Sequence, residues 1–144
     1  MRSLHDDAVD ASARTAFVAK IVEWNPETLY MAIGTNDYGL NKWSATSFGT
    51  AYAATLDALH AALPSLAIYC QTPILSGTET ANGSGSTLGD YRTQIATAVS
   101  TRTGYATLVD GTAILTLGDL ADGVHPNTTG HATYAAAIIA ELGI

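Results

Sequence analysis

Thr28-Leu-Tyr-Met-Ala-Ile-Gly-Thr-Asn-Asp-Tyr38 is the stretch that decides the fold. Its first half, Thr28 to Ile33, is a short apolar run that is continuous rather than alternating. A strand reads this way when both faces of a parallel sheet are covered. Its second half, Gly34 to Tyr38, reads as a loop at the strand's carboxyl end, where open α/β sheets place their sites.

The same grammar extends in both directions. Upstream, Val9, Ala13, Phe17, Ile21 and Trp24 recur at spacings of three and four. They predict an amphipathic helix over Asp6 to Trp24, stopped by Asn25-Pro26. Downstream, Phe48, Tyr52, Leu56, Leu59 and Leu63 predict a helix that ends before Pro64. Leu66 to Cys70 reads as a second buried strand, closed by Thr72-Pro73. Ser76 to Gly89, rich in Gly, Ser, Thr and Asn, reads as a mobile loop. Asp90 is placed to cap a helix over Tyr91 to Arg102. Tyr105 to Val109 makes a third strand, and Thr129 to Leu142 a last helix. Strands alternating with helices imply an α/β fold with a parallel sheet and right-handed crossovers. With no repeat and no linker, residues 1–144 read as one domain, and the loops to inspect are 34–47, 71–89 and 110–127.

Composition narrows the function classes. The chain has 144 residues, 47% of them hydrophobic, and a net charge of −7, as expected of an acidic globular protein. The acidic balance and the lack of a Lys/Arg cluster argue against nucleic-acid or anionic-membrane partners. No apolar run is long enough to span a bilayer, and Met1 to Asp10 lacks the apolar core of a signal peptide, which leaves the compartment unknown. A lone cysteine, Cys70, excludes an intrachain disulfide and reads as a small core residue. A metal site on His125 and His131 lacks a third ligand at workable spacing, so no metal or other cofactor is expected. His60 and His5 read as surface histidines.

Two of the loops carry chemistry. In Asp119-Leu-Ala-Asp-Gly-Val-His-Pro-Asn127, Asp122 and His125 stand three residues apart. That spacing lets the carboxylate hold the imidazole Nδ1 hydrogen and leaves Nε2 as a base. Asn36 follows a strand directly, so its amide can serve as a donor to a developing oxyanion. Gly34 allows the tight backbone approach that such a loop needs. Taken singly, Asn36 and Asp37 fit an Asx turn, the commoner role for such residues, and Asp122 to Pro126 an ordinary turn entering a helix. Tyr38 and Trp43, beside the same loop, either line a substrate cleft or cover it.

With these residues in place, Gly34-Thr-Asn-Asp37 followed far downstream by Asp122-Gly-Val-His-Pro-Asn-Thr-Thr-Gly-His131 resembles the third and fifth conserved blocks of SGNH (GDSL-type) hydrolases. The resemblance implies a three-layer α/β/α, flavodoxin-like fold and ester hydrolysis through a catalytic serine. It makes His125 the general base, Asp122 its orienting acid and Asn36 an oxyanion-hole donor. Gly34, Asp37, Tyr38 and Trp43 fall in the substrate-binding region, for a small-molecule or carbohydrate ester. His131 matches a position concerned with the last helix.

The sequence also departs from that pattern. No Gly-Asp-Ser block is present, and Met1 to Asp6 looks like the tail of the second block, so the nucleophile and the N-terminal strand are expected to lie outside these residues. Ser3 stands where the resemblance puts an oxyanion glycine. Ser47, in Ala45-Thr-Ser-Phe-Gly49, lacks the preceding strand that a nucleophile elbow requires. Ser76, Ser84 and Ser86 read as flexible coil. Without that first strand Thr28–Ile33 becomes an open sheet edge, which suggests a homodimer through that edge or one piece of a longer polypeptide. The rival reading is a catalytically inactive module of the same fold, serving binding or structure.

Overall fold

The computed structural model describes residues 11–41 and 43–144. In chain order the elements are α1 (Ala11–Trp24), β1 (Thr28–Ala32), the single turn α2 (Thr35–Gly39), α3 (Ala45–Ala62), β2 (Ala67–Gln71), α4 (Leu88–Ser100), β3 (Ala106–Val109) and α5 (Thr128–Leu142). Ser3, His5 and the expected start of the leading helix at Asp6 lie outside the described residues.

The three strands run parallel in the order β1-β2-β3. Thr28 pairs with Ala67 and Met31 with Cys70, while Ile68 pairs with Ala106 on the other side. Successive strand residues point to opposite faces. Met31, Ile68 and Cys70 therefore enter a core built with Phe48, Tyr52, Leu56 and Leu59 of α3 and Tyr91, Ile95 and Val99 of α4. Ile21 of α1 completes that layer. On the opposite face the Tyr30 and Tyr69 rings stack, with centroids 6.4 Å apart. Helix α5 reaches this face through Tyr134, whose hydroxyl donates to Gln71 Oε1 at 2.7 Å. The result is the three-layer α/β/α arrangement with a parallel sheet. Among the described residues β1 forms one edge of the sheet.

Helix starts shift from their sequence expectation because caps, not apolar spacing, set them. Ser44 accepts the Ser47 N–H, so α3 begins three residues before Phe48. Thr87, not Asp90, caps α4. Asp90 is the reciprocal partner of a capping box, its carboxylate accepting the Thr87 N–H at 2.7 Å. Asn127 caps α5 by accepting the Gly130 N–H at 2.8 Å.

The segment Ser76 to Gly89 corrects the expectation of a mobile loop. Composition favours flexibility, but here local hydrogen bonds hold the backbone. Asn82 Nδ2 donates to the Tyr38 carbonyl, and Asn82 Oδ1 accepts from the Ser84 and Ser86 N–H groups. The Arg92 guanidinium grips both ends of the first stretch. It donates to the Pro73 and Ile74 carbonyls and pairs twice with Glu79. Burial also revises His60: it is half-buried, stacked on Tyr105 with ring centroids 3.8 Å apart.

Candidate active site

Gly34 joins β1 to the site. Its φ of 118° is a backbone conformation that side chains resist, and a Cβ there would sit 3.1 Å from Pro73 Cγ. The chain turns sharply enough for residues 35–39 to wind into α2 rather than the loop expected from sequence. This turn aims Asn36 at the carboxyl end of the sheet and buries Asp37 to 1% exposure.

The second half of the site is the turn between β3 and α5. Ala121 N–H donates to the His125 carbonyl at 2.8 Å, and Leu120 bridges to Pro126, so residues 120–126 close on themselves. Within the turn, Asp122 Oδ1 accepts the His125 and Val124 N–H groups at 2.7 and 3.0 Å. Asp122 Oδ2 lies 2.8 Å from His125 Nδ1. The backbone N–H of His125, followed by its ring and the Val124 N–H, holds the Asp122 carboxyl well below the usual carboxylate range. Asp122 is thus anionic at neutral pH and can only accept, so the hydrogen between them belongs to Nδ1 and Nε2 is the nitrogen turned to the cleft. Both side chains are exposed. The register of α5 is set by Gly130, where a Cβ would collide with the Asp119 carbonyl.

Between these two halves lies a cleft of about 390 Å³. Asn36, Gly34, Asp37 and His125 line it, with Ile33, Pro73, Ile74, Val124 and Pro126 as apolar walls. Asp122 does not face this space and touches the imidazole from behind. Tyr38 lines a second, adjoining cleft, its hydroxyl donating to the Thr80 carbonyl at 2.8 Å. Trp43 lines neither cleft, and its carbonyl accepts from Tyr91 and Ser84. Among the described lining residues of the first cleft there is no serine. Ser47 sits in the first turn of α3 against Ser44, and Ser86 accepts the Ala45 N–H. Ser76 lies nearest in connectivity, its hydroxyl donating to the Gly123 carbonyl at 3.2 Å. Among the described residues no group of three or more His, Cys, Asp or Glu side chains is arranged to hold a metal ion. No described helix is long and apolar enough to cross a membrane.

Sequence reasoning missed the floor and the brace of this site. Gln71, Tyr134 and His131 also line the first cleft. Gln71 Oε1 accepts both the Tyr30 and the Tyr134 hydroxyls, which fixes the end of β2 beneath α5. A polar residue closing an apolar strand was the available signal. The brace is Arg92–Glu79. Glu79 Oε1 accepts the Ser76 N–H, and Gly77 N–H donates to the Gly123 carbonyl at 2.7 Å. Arg92 thereby reaches the His125 turn through the β2–α4 loop, a link between distant residues that no local spacing encodes.

The profile of the GDSL-like Lipase/Acylhydrolase family matches residues 6–133. No curated protein matches the chain significantly in sequence. Among solved structures, a carbohydrate esterase family 3 protein from Talaromyces cellulolyticus superposes with a TM-score of 0.77 at 25% identity, over 98% of this chain and 66% of that one. A mutant acetyl esterase crystallised with acetate ion gives 0.76 at 25% identity, over 98% and 66%. An acetyl-xylooligosaccharide esterase from Geobacillus Stearmophilus gives 0.74 at 18% identity, over 99% and 68%, a likeness of fold. The chain thus spans about two thirds of the length of these proteins.

Proposed function

This chain belongs to the GDSL-like lipase/acylhydrolase family, and we propose that it supplies the base and an oxyanion donor of an ester hydrolase that removes short acyl groups, such as acetyl, from a carbohydrate or another small alcohol. One observation carries this reading. Asn36 and His125 line the same cleft, while Asp122 holds His125 Nδ1 from outside it.

In this proposal His125 Nε2 takes the proton of an attacking serine hydroxyl as its oxygen bonds to the acyl carbon. The Asp122 carboxylate offsets the charge on the resulting imidazolium. The Asn36 amide donates to the carbonyl oxygen as it becomes anionic, a contact worth about 3–4 kcal/mol in hydrolases of this chemistry. His125 then returns the proton to the leaving alcohol, and water repeats the sequence to release the acid. This proposal takes the serine to lie outside these 144 residues; no serine is among the described residues that line the cleft. The acyl-carbohydrate class draws support from the similar proteins, named as a carbohydrate esterase and an acetyl-xylooligosaccharide esterase.

The test uses the chain as it stands. With the serine absent, His125 Nε2 has only water to activate, so hydrolysis of p-nitrophenyl acetate should exceed the buffer rate by a small factor and fall in both His125→Ala and Asn36→Ala; rates that neither substitution changes reject the assignment of base and donor. Fluorophosphonate labelling with peptide mapping should give no adduct that depends on His125. Such an adduct would name a nucleophile inside the chain and overturn the external serine. Binding of an acetylated sugar with no hydrolysis at all would favour the inactive binding module.

A further inference from the structure

A second cleft, also about 390 Å³, opens beside the first between α2 and the segment 76–82. The two share Thr35 and Val124 in their walls, so a molecule entering one can extend into the other. Their linings differ in charge. The first sets Asn36, Asp37, Gln71, His125, His131 and Tyr134 among the apolar walls of Ile33, Pro73, Ile74 and Pro126. The second presents Thr35, Asn41, Ser76, Thr78, Thr80 and Asn82 beside the apolar surface of Tyr38, Ala81, Leu88 and Val124, the mixed lining that a sugar ring's hydroxyls and C–H faces match, and no charged residue among its described lining.

Hydrogen bonding separates the scaffold of this second cleft from its available groups. Asn82 is consumed internally, through Nδ2 to the Tyr38 carbonyl and Oδ1 to the backbone of residues 84 and 86. The Ser76 hydroxyl is held by the Gly123 carbonyl and the Tyr38 hydroxyl by the Thr80 carbonyl. Asn41 Oδ1 accepts the Gly83 N–H, which orients the amide and leaves its NH2 group over. The hydroxyls of Thr35, Thr78 and Thr80 make no hydrogen bond to another described residue. Four neutral groups, three hydroxyls and one amide NH2, are thus left on a wall whose shape is fixed by other bonds. The Arg92–Glu79 grip on the same loop keeps that wall in place before any ligand arrives.

We propose that this second cleft is the subsite for the alcohol half of the substrate and that it takes a neutral, polyhydroxylated ring, that is, an uncharged sugar residue. The proposal rests on the reading of the first cleft as the place where the acyl group reacts. The chemistry follows from the lining. Uncharged donors and acceptors spaced around a shallow wall match ring hydroxyls, whereas a carboxylated sugar would lose its hydration without gaining a cationic partner. An alkyl alcohol would leave the hydroxyls of the wall unused.

The experiment is a two-dimensional 1H–15N NMR titration of the chain with xylobiose, with digalacturonate as the charged control and mono-O-acetyl xylobiose as the full ligand. Xylobiose should shift the amides of residues 35, 41 and 78–82, and digalacturonate should not. Thr78→Val combined with Thr80→Val should weaken xylobiose binding about tenfold, as loss of two neutral hydrogen bonds does. The spectrum of that variant should otherwise be unchanged. Absence of shifts at these amides up to the solubility of the sugar, or shifts confined to other surfaces, overturns the subsite. Equal binding of digalacturonate overturns its neutrality. The acetylated sugar should add shifts at Gly34, Asn36 and His125. Sugar shifts in the second cleft without those additions overturn its role as the alcohol half. A rate of p-nitrophenyl acetate hydrolysis that ignores His125→Ala, with the sugar shifts intact, removes the reaction in the first cleft instead. The failures of the two readings are therefore told apart.

Discussion

Replacing Arg92 with Met should loosen the candidate site from a distance, and the structure sets the size of the effect. The guanidinium makes four bonds: to the Pro73 and Ile74 carbonyls and twice to Glu79. Exposed ion pairs contribute under about 1 kcal/mol, while removing one partner of a fully buried pair costs about 3–5 kcal/mol. With side chains 15% and 30% exposed, Arg92–Glu79 falls between these limits. Two carbonyls also lose a donor, at about 1 kcal/mol each. Methionine preserves most of the apolar stem, so the expected loss is about 3 kcal/mol, or about 10 °C in Tm for a chain of this size. Urea unfolding measures the first figure. Hydrogen exchange at the Gly77 amide, which is bonded to the Gly123 carbonyl, measures whether the slack reaches the His125 turn. Arg92→Lys, with charge but no fork, should fall between wild type and Met. The sign with pH is fixed as well. Arg92 holds the Glu79 carboxyl below its ordinary 4.5, so the stabilisation is present above that value and is lost as pH falls below it. A loss under about 0.5 kcal/mol, within the range of neutral surface changes, together with unchanged exchange at Gly77, refutes the brace.

Other substitutions probe the rest of the site. Gly34→Ala places a side chain at φ 118° and 3.1 Å from Pro73 Cγ; thermal denaturation should show a loss of about 2 kcal/mol, near 6 °C. Asp122→Asn should abolish the fixed Nδ1–H tautomer of His125, read from its ring 15N shifts, and bring p-nitrophenyl acetate hydrolysis down toward the His125→Ala rate. An unchanged tautomer would show that the 2.8 Å contact does not orient the ring. The N–H and C=O groups of β1, an edge strand among the described residues, are expected to pair with a second copy, and sedimentation that gives a stable monomer rejects this.

Local physics made much of this protein legible before folding. The continuous apolarity of Thr28–Ile33 and Leu66–Cys70 marks covered parallel strands, because a strand with a wet face must alternate. Asp122 and His125 were readable as a pair because three residues of a Gly- and Pro-containing turn are enough to bring a carboxylate to an imidazole. Asn36 was readable because it follows a strand directly. Helix starts were less legible. Ser44, Thr87 and Asn127 compete with other polar residues nearby, and only the backbone path decides which side chain meets a free N–H.

Tertiary structure alone decided the rest. It set Asn36 and His125, 89 positions apart in the chain, against one cleft, since only the parallel stacking of β1, β2 and β3 brings their carboxyl ends together. It turned the Ser76–Gly89 segment, whose composition reads as coil, into a fixed wall. The segment's own bonds, such as those of Asn82 to Ser84 and Ser86, shape its turns, and the bonds that tie it to the sheet and helices come from Tyr38, Asn41 and Arg92, none of which lies within the segment. Chain entropy depends on composition and is visible locally. The contacts that overcome it here join residues far apart in sequence, and no periodicity or spacing records them.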